Sequence, residues 1–310
     1  MNQASLYHRA NEVQRHDAEQ IIQEYVDKFE WRHDGMDCLL DVGTGSGDVL
    51  MDFVYPIMPK KFDRIVGSDI SRKMIEFARK CYRDVKQCEF KVLDIGTEEQ
   101  LPKDMKGAFD HVTSFYCLHW IQNQRQALQN IYDLLRTEGG DCLLVFLASN
   151  AVYDVCKLLS KSTNWSPYMQ DVNRFISPLH HSNDAKWEFT QMLKETGFTQ
   201  LHVEMRDKVY IYQNEEILKD NFKAICPFLE RIPLSQHNDF LDDFVDTVTS
   251  LDLRRCDPNG KTHKFLSPYK LIVAYAKKPA LVENLLSEFI ISAEDQEKKQ
   301  ENGVEKKNIK

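Results

Sequence analysis

None of the eight cysteines stands in a C-x-x-C pair, and no set of histidines and cysteines keeps the spacing of a metal site. Cys38, Cys81, Cys88, Cys117, Cys142, Cys156, Cys226 and Cys256 are scattered singly. That pattern excludes a thioredoxin-type redox centre or a zinc ribbon and reads as reduced, mostly buried small hydrophobes. No apolar run reaches membrane-spanning length, and the opening MNQASLYHRANEVQRHD lacks the apolar stretch of a secretory leader. A soluble chain of the cytoplasm is therefore expected. Positive charge is scarce as well: 40 Lys and Arg stand against 48 Asp and Glu, a formal net charge of -8. An acidic surface repels phosphate backbones, which makes nucleic acid a poor partner. With 310 residues and 42% hydrophobic content, the chain can bury one large core beneath a substantial cap.

What is present is a concentrated glycine signal. In LLDVGTGSGDV an apolar strand runs into Gly43, Gly45 and Gly47 at alternate positions. Glycine lacks Cβ, so the turn accepts positive φ and its N–H groups approach a ligand at the start of the next helix. Asp41 precedes the glycines, and Asp69 closes the next strand, IVGSD, where a carboxylate accepts the hydroxyls of a ribose. The spacing acid-x-G-x-G-x-G differs from the G-x-G-x-x-G of dinucleotide binders and resembles the first motif of class I S-adenosylmethionine-dependent methyltransferases.

Strand and helix patterns alternate through residues 38–147, after a helix expected over 17–29. Such alternation predicts an α/β fold, a doubly wound parallel sheet with ligands beyond the carboxyl ends of its strands. LHVEMRDKVYIY and YKLIVAYAKK supply a sixth and a seventh strand, the last antiparallel in the methyltransferase fold. Residues 1–278 read as one methyltransferase domain. It opens with a helical segment over 1–30 and carries cap insertions at 150–197 and 215–255. The charged stretch 279–310 has little to bury and reads as a disordered tail.

Each chemical role has a plainer rival. Asp41 is placed to face the ammonium of the methionine part of the donor, Asp69 its ribose, and Asp94 or Ile95 its adenine. Ile70 and Ile95 sandwich that base or simply pack. Ser114 and Phe115 give backbone contacts to the amino-acid part. Trp120 is either strand-end core or a donor-only indole N–H that pins an anionic oxygen. His119 is either structural or a general base. Gln14, placed before the first helix, is by itself an ordinary polar residue.

The stretches MNQASLY, VQRHDA, HVTSFYCLHWIQN, FISPLH, KAICPFLERIP, FLDDFVD and FLSPYKLIVAYAKK together resemble the insect juvenile hormone acid O-methyltransferases, over about residues 1–278. The resemblance implies methyl transfer from S-adenosylmethionine to the carboxylate of a sesquiterpenoid acid, juvenile hormone acid or farnesoic acid. It also implies carboxylate-positioning roles for Gln14 and Trp120. Tyr153, Trp165, Ile225, Phe228 and Phe244 are candidates for the wall that receives the apolar chain, or are cap core. The small-molecule acid is the expected partner, and a homodimer is left open. The rivals are a methyltransferase for another fatty or small carboxylic acid, and a silent donor-binding scaffold.

Overall fold

A computed structural model describes residues 11–256 and 263–281. Eight strands form one sheet: β1 Cys38–Val42, β2 Arg64–Asp69, β3 Cys88–Val92, β4 His111–Phe115, β5 Gly140–Asn150, β6 Thr199–Tyr212, β7 Arg254–Cys256 and β8 His263–Lys278. The order is β3-β2-β1-β4-β5-β8-β6, with β7 paired to β8. β1 to β5 are parallel, while β8 runs antiparallel to both β5 and β6. The doubly wound sheet with an antiparallel final strand is thus as expected. The short β7 was not foreseen.

The central strands β1 (CLLDV) and β4 (HVTSF) are buried along their whole length, so neither shows an alternation of buried and exposed positions. Two cores cover the two faces. α1 (Glu12–Tyr25) and α2 (Arg72–Cys81) pack on one face, and α3 (Gln124–Leu134) and α5 (Ala185–Thr196) on the other. α4 (Ala151–Leu159), α6 (Glu215–Ile225) and α7 (His237–Ser250) extend the first core into a cap. The insert between β6 and β8 is therefore helical, and rings from its two helices, Phe222 and Phe244, stack at 3.7 Å.

Two expectations are corrected. α1 begins at Glu12, five residues before the expected start, and Gln14 lies inside it rather than ahead of it. The cause is tertiary: Asn11 at the N-cap turns its amide to Asp48 (2.7 Å), and Arg15 holds Asp48 (2.8 Å) and Asp52 (2.7 Å). The cysteines are less buried than expected, since only Cys38, Cys142 and Cys156 are fully inside. No helix among the described residues is long and apolar enough to cross a membrane. The tail over 282–310, the segment 1–10 and the loop 257–262 lie outside the described residues.

Candidate active site

The glycine loop sits at the carboxyl end of β1, held by N–H groups of Gly43 and Thr44 that both donate to the Ser68 carbonyl at 2.8 Å. Gly43 has φ +76, and a Cβ built on it meets Cys117 Cβ at 2.3 Å, so only glycine fits beside the segment that leaves β4. Asp69 accepts from the Gly45 N–H (3.0 Å) and the Ser71 N–H (2.7 Å), and burial raises its pKa. Each of its oxygens keeps a lone pair for a ligand hydroxyl.

Asp41 is sealed from solvent and accepts one hydrogen bond from the Thr113 hydroxyl at 2.8 Å. No cation pairs with it among the described residues, and burial pushes its pKa up to about 7. A buried carboxylate in that state calls for an ammonium. Ile70 is 67% exposed at the end of β2, an apolar surface left open on the ligand edge, whereas Ile95 is buried. Asp94 is exposed and accepts from the Gly96 N–H. Ser114 is buried with its hydroxyl committed to the Val42 carbonyl (2.9 Å), and Phe115 is buried beside it. The cradle, the uncompensated Asp41, the ribose-type carboxylate and the exposed apolar ledge fit a donor with an amino-acid end, a ribose and a base.

Next to this loop opens a largely apolar cavity of about 970 Å³, mouth included. Gln14 from α1, His119 and Trp120 from the turn after β4, Tyr153 from α4, and Ile225 and Phe228 from the insert all line it. Gln14 Oε1, His119 Nδ1 and the Tyr153 hydroxyl are buried without a hydrogen-bond partner. No described residue accepts from the Trp120 indole N–H. The other tryptophan considered for the cavity differs, because Trp165 Nε1 donates to Asp243 at 2.6 Å. Trp165 and Phe244 are not among the residues that line the cavity, and both are buried in the cap, the second of the two alternatives open in the sequence. Desolvation pushes the pKa of His119 down to about 3, which favours the neutral imidazole.

Three features escaped the sequence. Asp17 is fully buried one turn after Gln14 and accepts from Tyr116 (2.5 Å), Tyr269 (2.8 Å) and Lys208 (2.5 Å). Tyr116 stands at φ +55, a conformation that this hydroxyl contact holds in place. Asp17 thereby ties the helix carrying Gln14 to the segment carrying Trp120. Asn11 and Arg15 on Asp48 tie the same helix to the glycine loop. The sequence carried no local signal for these contacts, since the polar run QRHD reads equally as a solvated segment.

Residues 40–141 match the family described as a methyltransferase domain. A juvenile hormone acid O-methyltransferase of Drosophila melanogaster is 56% identical over 289 residues, spanning 93% of this chain and 96% of the relative. The enzyme of that description from Bombyx mori is 39% identical over 91% of this chain and 99% of the relative. The chain belongs to the juvenile hormone acid O-methyltransferases. It is an S-adenosylmethionine-dependent methyltransferase. Among solved structures, the YcgJ protein of Bacillus shares the fold at a TM-score of 0.53 and 16% identity, covering 85% of this chain and 99% of that one. A putative methyltransferase from Bacillus halodurans C-125 does so at 0.50 and 19%, covering 83% and 98%.

Proposed function

We propose that this enzyme methylates the carboxylate of a sesquiterpenoid acid, juvenile hormone acid or farnesoic acid, to its methyl ester in juvenile hormone biosynthesis. One observation carries the reading: the unpartnered amide oxygen of Gln14 and the side chain of Trp120 line one mainly apolar cavity, with the donor loop packed against the segment that leaves β4. An amphiphile with one anionic end and a long apolar body matches that lining. The name shared by the two insect relatives supports the same substrate.

When bound, S-adenosylmethionine supplies a methyl group on a positively charged sulfur. Asp41 takes its ammonium, and Asp69 its ribose hydroxyls. Asp94, Ile95 and Ile70 meet the base, and the backbone of Ser114 and Phe115 borders the amino-acid end. The loop of Gly43, Gly45 and Gly47 lets the backbone approach closely.

A carboxylic acid is already ionised at neutral pH, so methyl transfer to its oxygen needs no strong base. Orientation remains to be supplied. A half-turn of the Gln14 amide, which exchanges its nearly identical O and NH₂ ends, aims a donor at the buried position of Oε1. With the Trp120 indole N–H it fixes one carboxylate oxygen toward the methyl. Two neutral donors hold the anion while leaving it more nucleophilic than an arginine pair would. Neutral His119 adds a ring nitrogen without charge. Ile225, Phe228 and the neighbouring cap residues exclude water, which favours a reaction that merges two opposite charges. The same reading makes this a cytoplasmic enzyme acting on a free acid.

The test is incubation of the full chain with labelled methyl donor and a panel of free acids, followed by identification of the ester. Methyl ester from sesquiterpenoid acids is expected. Ester formation only from short or polar acids overturns the substrate assignment.

A further inference from the structure

Behind the cavity wall lies a side-chain cluster that methyl transfer does not use. Among the described residues, Asp154 of α4 and the adjacent His180 and His181 bring one carboxylate oxygen and two ring nitrogens within 4.8 Å of one another. None of the three lines the cavity. His180 is the inner member, its side chain 4% exposed against 48% for Asp154. Its ring is fixed from both sides, with Nε2 3.0 Å from Asp154 Oδ1 and Nδ1 3.0 Å from the Ser149 hydroxyl near the end of β5. The turn presenting the two histidines is closed by the His180 N–H on the Ser177 carbonyl (2.9 Å) and the Ser182 N–H on the Leu179 carbonyl (3.0 Å). Backbone and side-chain bonds thus hold the set in place before anything binds.

A carboxylate has no proton to give, so the His180 Nε2–H donates to Asp154 and the Ser149 hydroxyl donates to Nδ1. A hydroxyl serves equally well as an acceptor. Moving the ring proton to Nδ1 reverses that contact and frees the Nε2 lone pair beside Asp154. A ligating histidine is commonly oriented in this way, through its other nitrogen. His181 shows that the cluster draws positive charge, because its Nε2 accepts from the Lys157 ammonium at 2.6 Å. Lys157 lies one turn past Asp154 on α4, and its flexible stem allows the charge to swing out to water.

We infer that Asp154, His180 and His181 form a binding site for a divalent cation of the zinc class, which displaces the Lys157 ammonium from His181. Two imidazoles and a carboxylate suit zinc, nickel or copper, whereas calcium and magnesium take oxygen ligands. About 2.0–2.1 Å from its ligands, a tetrahedral zinc spaces them roughly 3.3 Å apart. The Asp154–His180 pair already stands at 3.0 Å, and exposed His181 has room to turn inward. Three protein ligands leave the fourth position to water. The ion clasps α4 to the histidine turn, next to Tyr153 of the cavity wall, whose ring packs edge-on against His180 at 5.2 Å. The site is independent of which acid the enzyme takes.

The experiment titrates Zn²⁺ into the untagged full-length protein against a chromophoric chelator, with Co²⁺ absorption as a second readout. Wild type is compared with His181→Ala, Asp154→Asn, Lys157→Met and Cys256→Ala. Wild type should bind Zn²⁺ and give visible Co²⁺ ligand-field bands that Zn²⁺ removes. His181→Ala and Asp154→Asn should each weaken binding by about tenfold or more, at least what loss of an outer contact costs. Lys157→Met should tighten it about two- to fivefold, the worth of one exposed charge contact. Cys256 Sγ and His263 Nδ1, 3.1 Å apart, are a rival thiol–imidazole pair, and Cys256→Ala should bind as wild type does. Saturating Zn²⁺ should raise the Tm of wild type and leave that of His181→Ala unchanged. Absence of binding below millimolar Zn²⁺, or undiminished binding in His181→Ala, would overturn the site. Binding lost in Cys256→Ala would overturn it too, by moving the ion to the rival pair. Binding in Lys157→Met no tighter than in wild type would overturn the displacement.

Discussion

Two histidines sit at opposite ends of β4, both sealed from solvent, and their surroundings are opposites. His111 lies between Asp37 (2.9 Å) and Asp141 (2.6 Å), which raise its pKa to about 9. His119 has an unpartnered Nδ1, and burial lowers its pKa to about 3. At the amino end of the sheet the ion cluster is closed further by the Glu30 N–H and the Tyr275 hydroxyl on Asp141. At the carboxyl end, Gln14, Thr44, His119 and Tyr153 are left with unpartnered buried atoms, and Asp41 has no cation. The amino-end cluster pairs its imidazole with two carboxylates, Asp37 Oδ2 alone in it lacking a partner, whereas the carboxyl end leaves several polar groups open, as the proposed donor and acid sites require.

Substitutions at the two poles should separate stability from activity. His111→Ala leaves Asp37 and Asp141 buried without their cation and should cost about 3–5 kcal/mol in denaturant unfolding. His119→Leu should cost far less, because it removes a group with an unmet hydrogen bond. Near-equal losses would erase the distinction between the poles. Gly43→Ala comes next. A Cβ there collides with Cys117 at φ +76, so donor affinity measured by calorimetry should fall by about 1–3 kcal/mol in a folded protein. Unchanged affinity would place the donor elsewhere. Trp120→Phe keeps the apolar volume and deletes the indole N–H. Its kcat should fall roughly ten- to hundredfold, about 1.5–3 kcal/mol, with donor affinity preserved. Wild-type turnover would return Trp120 to the core.

The two histidines also act on the pH profile of stability, and their signs oppose. His111 has a folded pKa above its ordinary value, so its stabilisation is complete below about pH 6.5 and is lost as pH rises through about 9. His119 has a folded pKa below that value, so it is neutral without penalty at high pH and opposes folding as pH falls below about 6.5, by about 1.4 kcal/mol per pH unit. Melting temperatures of wild type, His111→Ala and His119→Leu across this range should show the alkaline loss vanish in the first variant and the acid loss shrink in the second.

The pole proposed to bind ligand was the more legible in sequence. Gly43, Gly45, Gly47, Asp41 and Asp69 are local: their spacing along the chain is their geometry in the loop, so periodicity and one strand-end acid sufficed. Trp120 was legible for the same reason, lying five residues past the end of β4. What was missed is nonlocal. Asp17 meets Tyr269 across 252 positions and Lys208 across 191, and His111 meets Asp37 across 74. No helical or strand period encodes such pairings. The start of α1 was misplaced because its first turn is held by Asp48 rather than by an apolar face. Wall and core stayed open for Trp165 and Phe244 in the sequence because a cap's inner wall and its own core share one composition; Trp165 meets Asp243, and Phe244 stacks on Phe222.

The central claim is that an apolar cavity holds a long acid so that Gln14 and Trp120 can align its carboxylate. The most direct measurement is kcat/KM of the wild-type chain for a C15 isoprenoid acid against a C5 acid with the same conjugated carboxylate. Each buried CH₂ contributes about 0.8 kcal/mol, and remote binding energy helps orient the reacting end. The C15 acid should therefore be favoured by several orders of magnitude. Equal efficiency for the two acids would contradict the account and leave a methyltransferase that reads only the carboxylate.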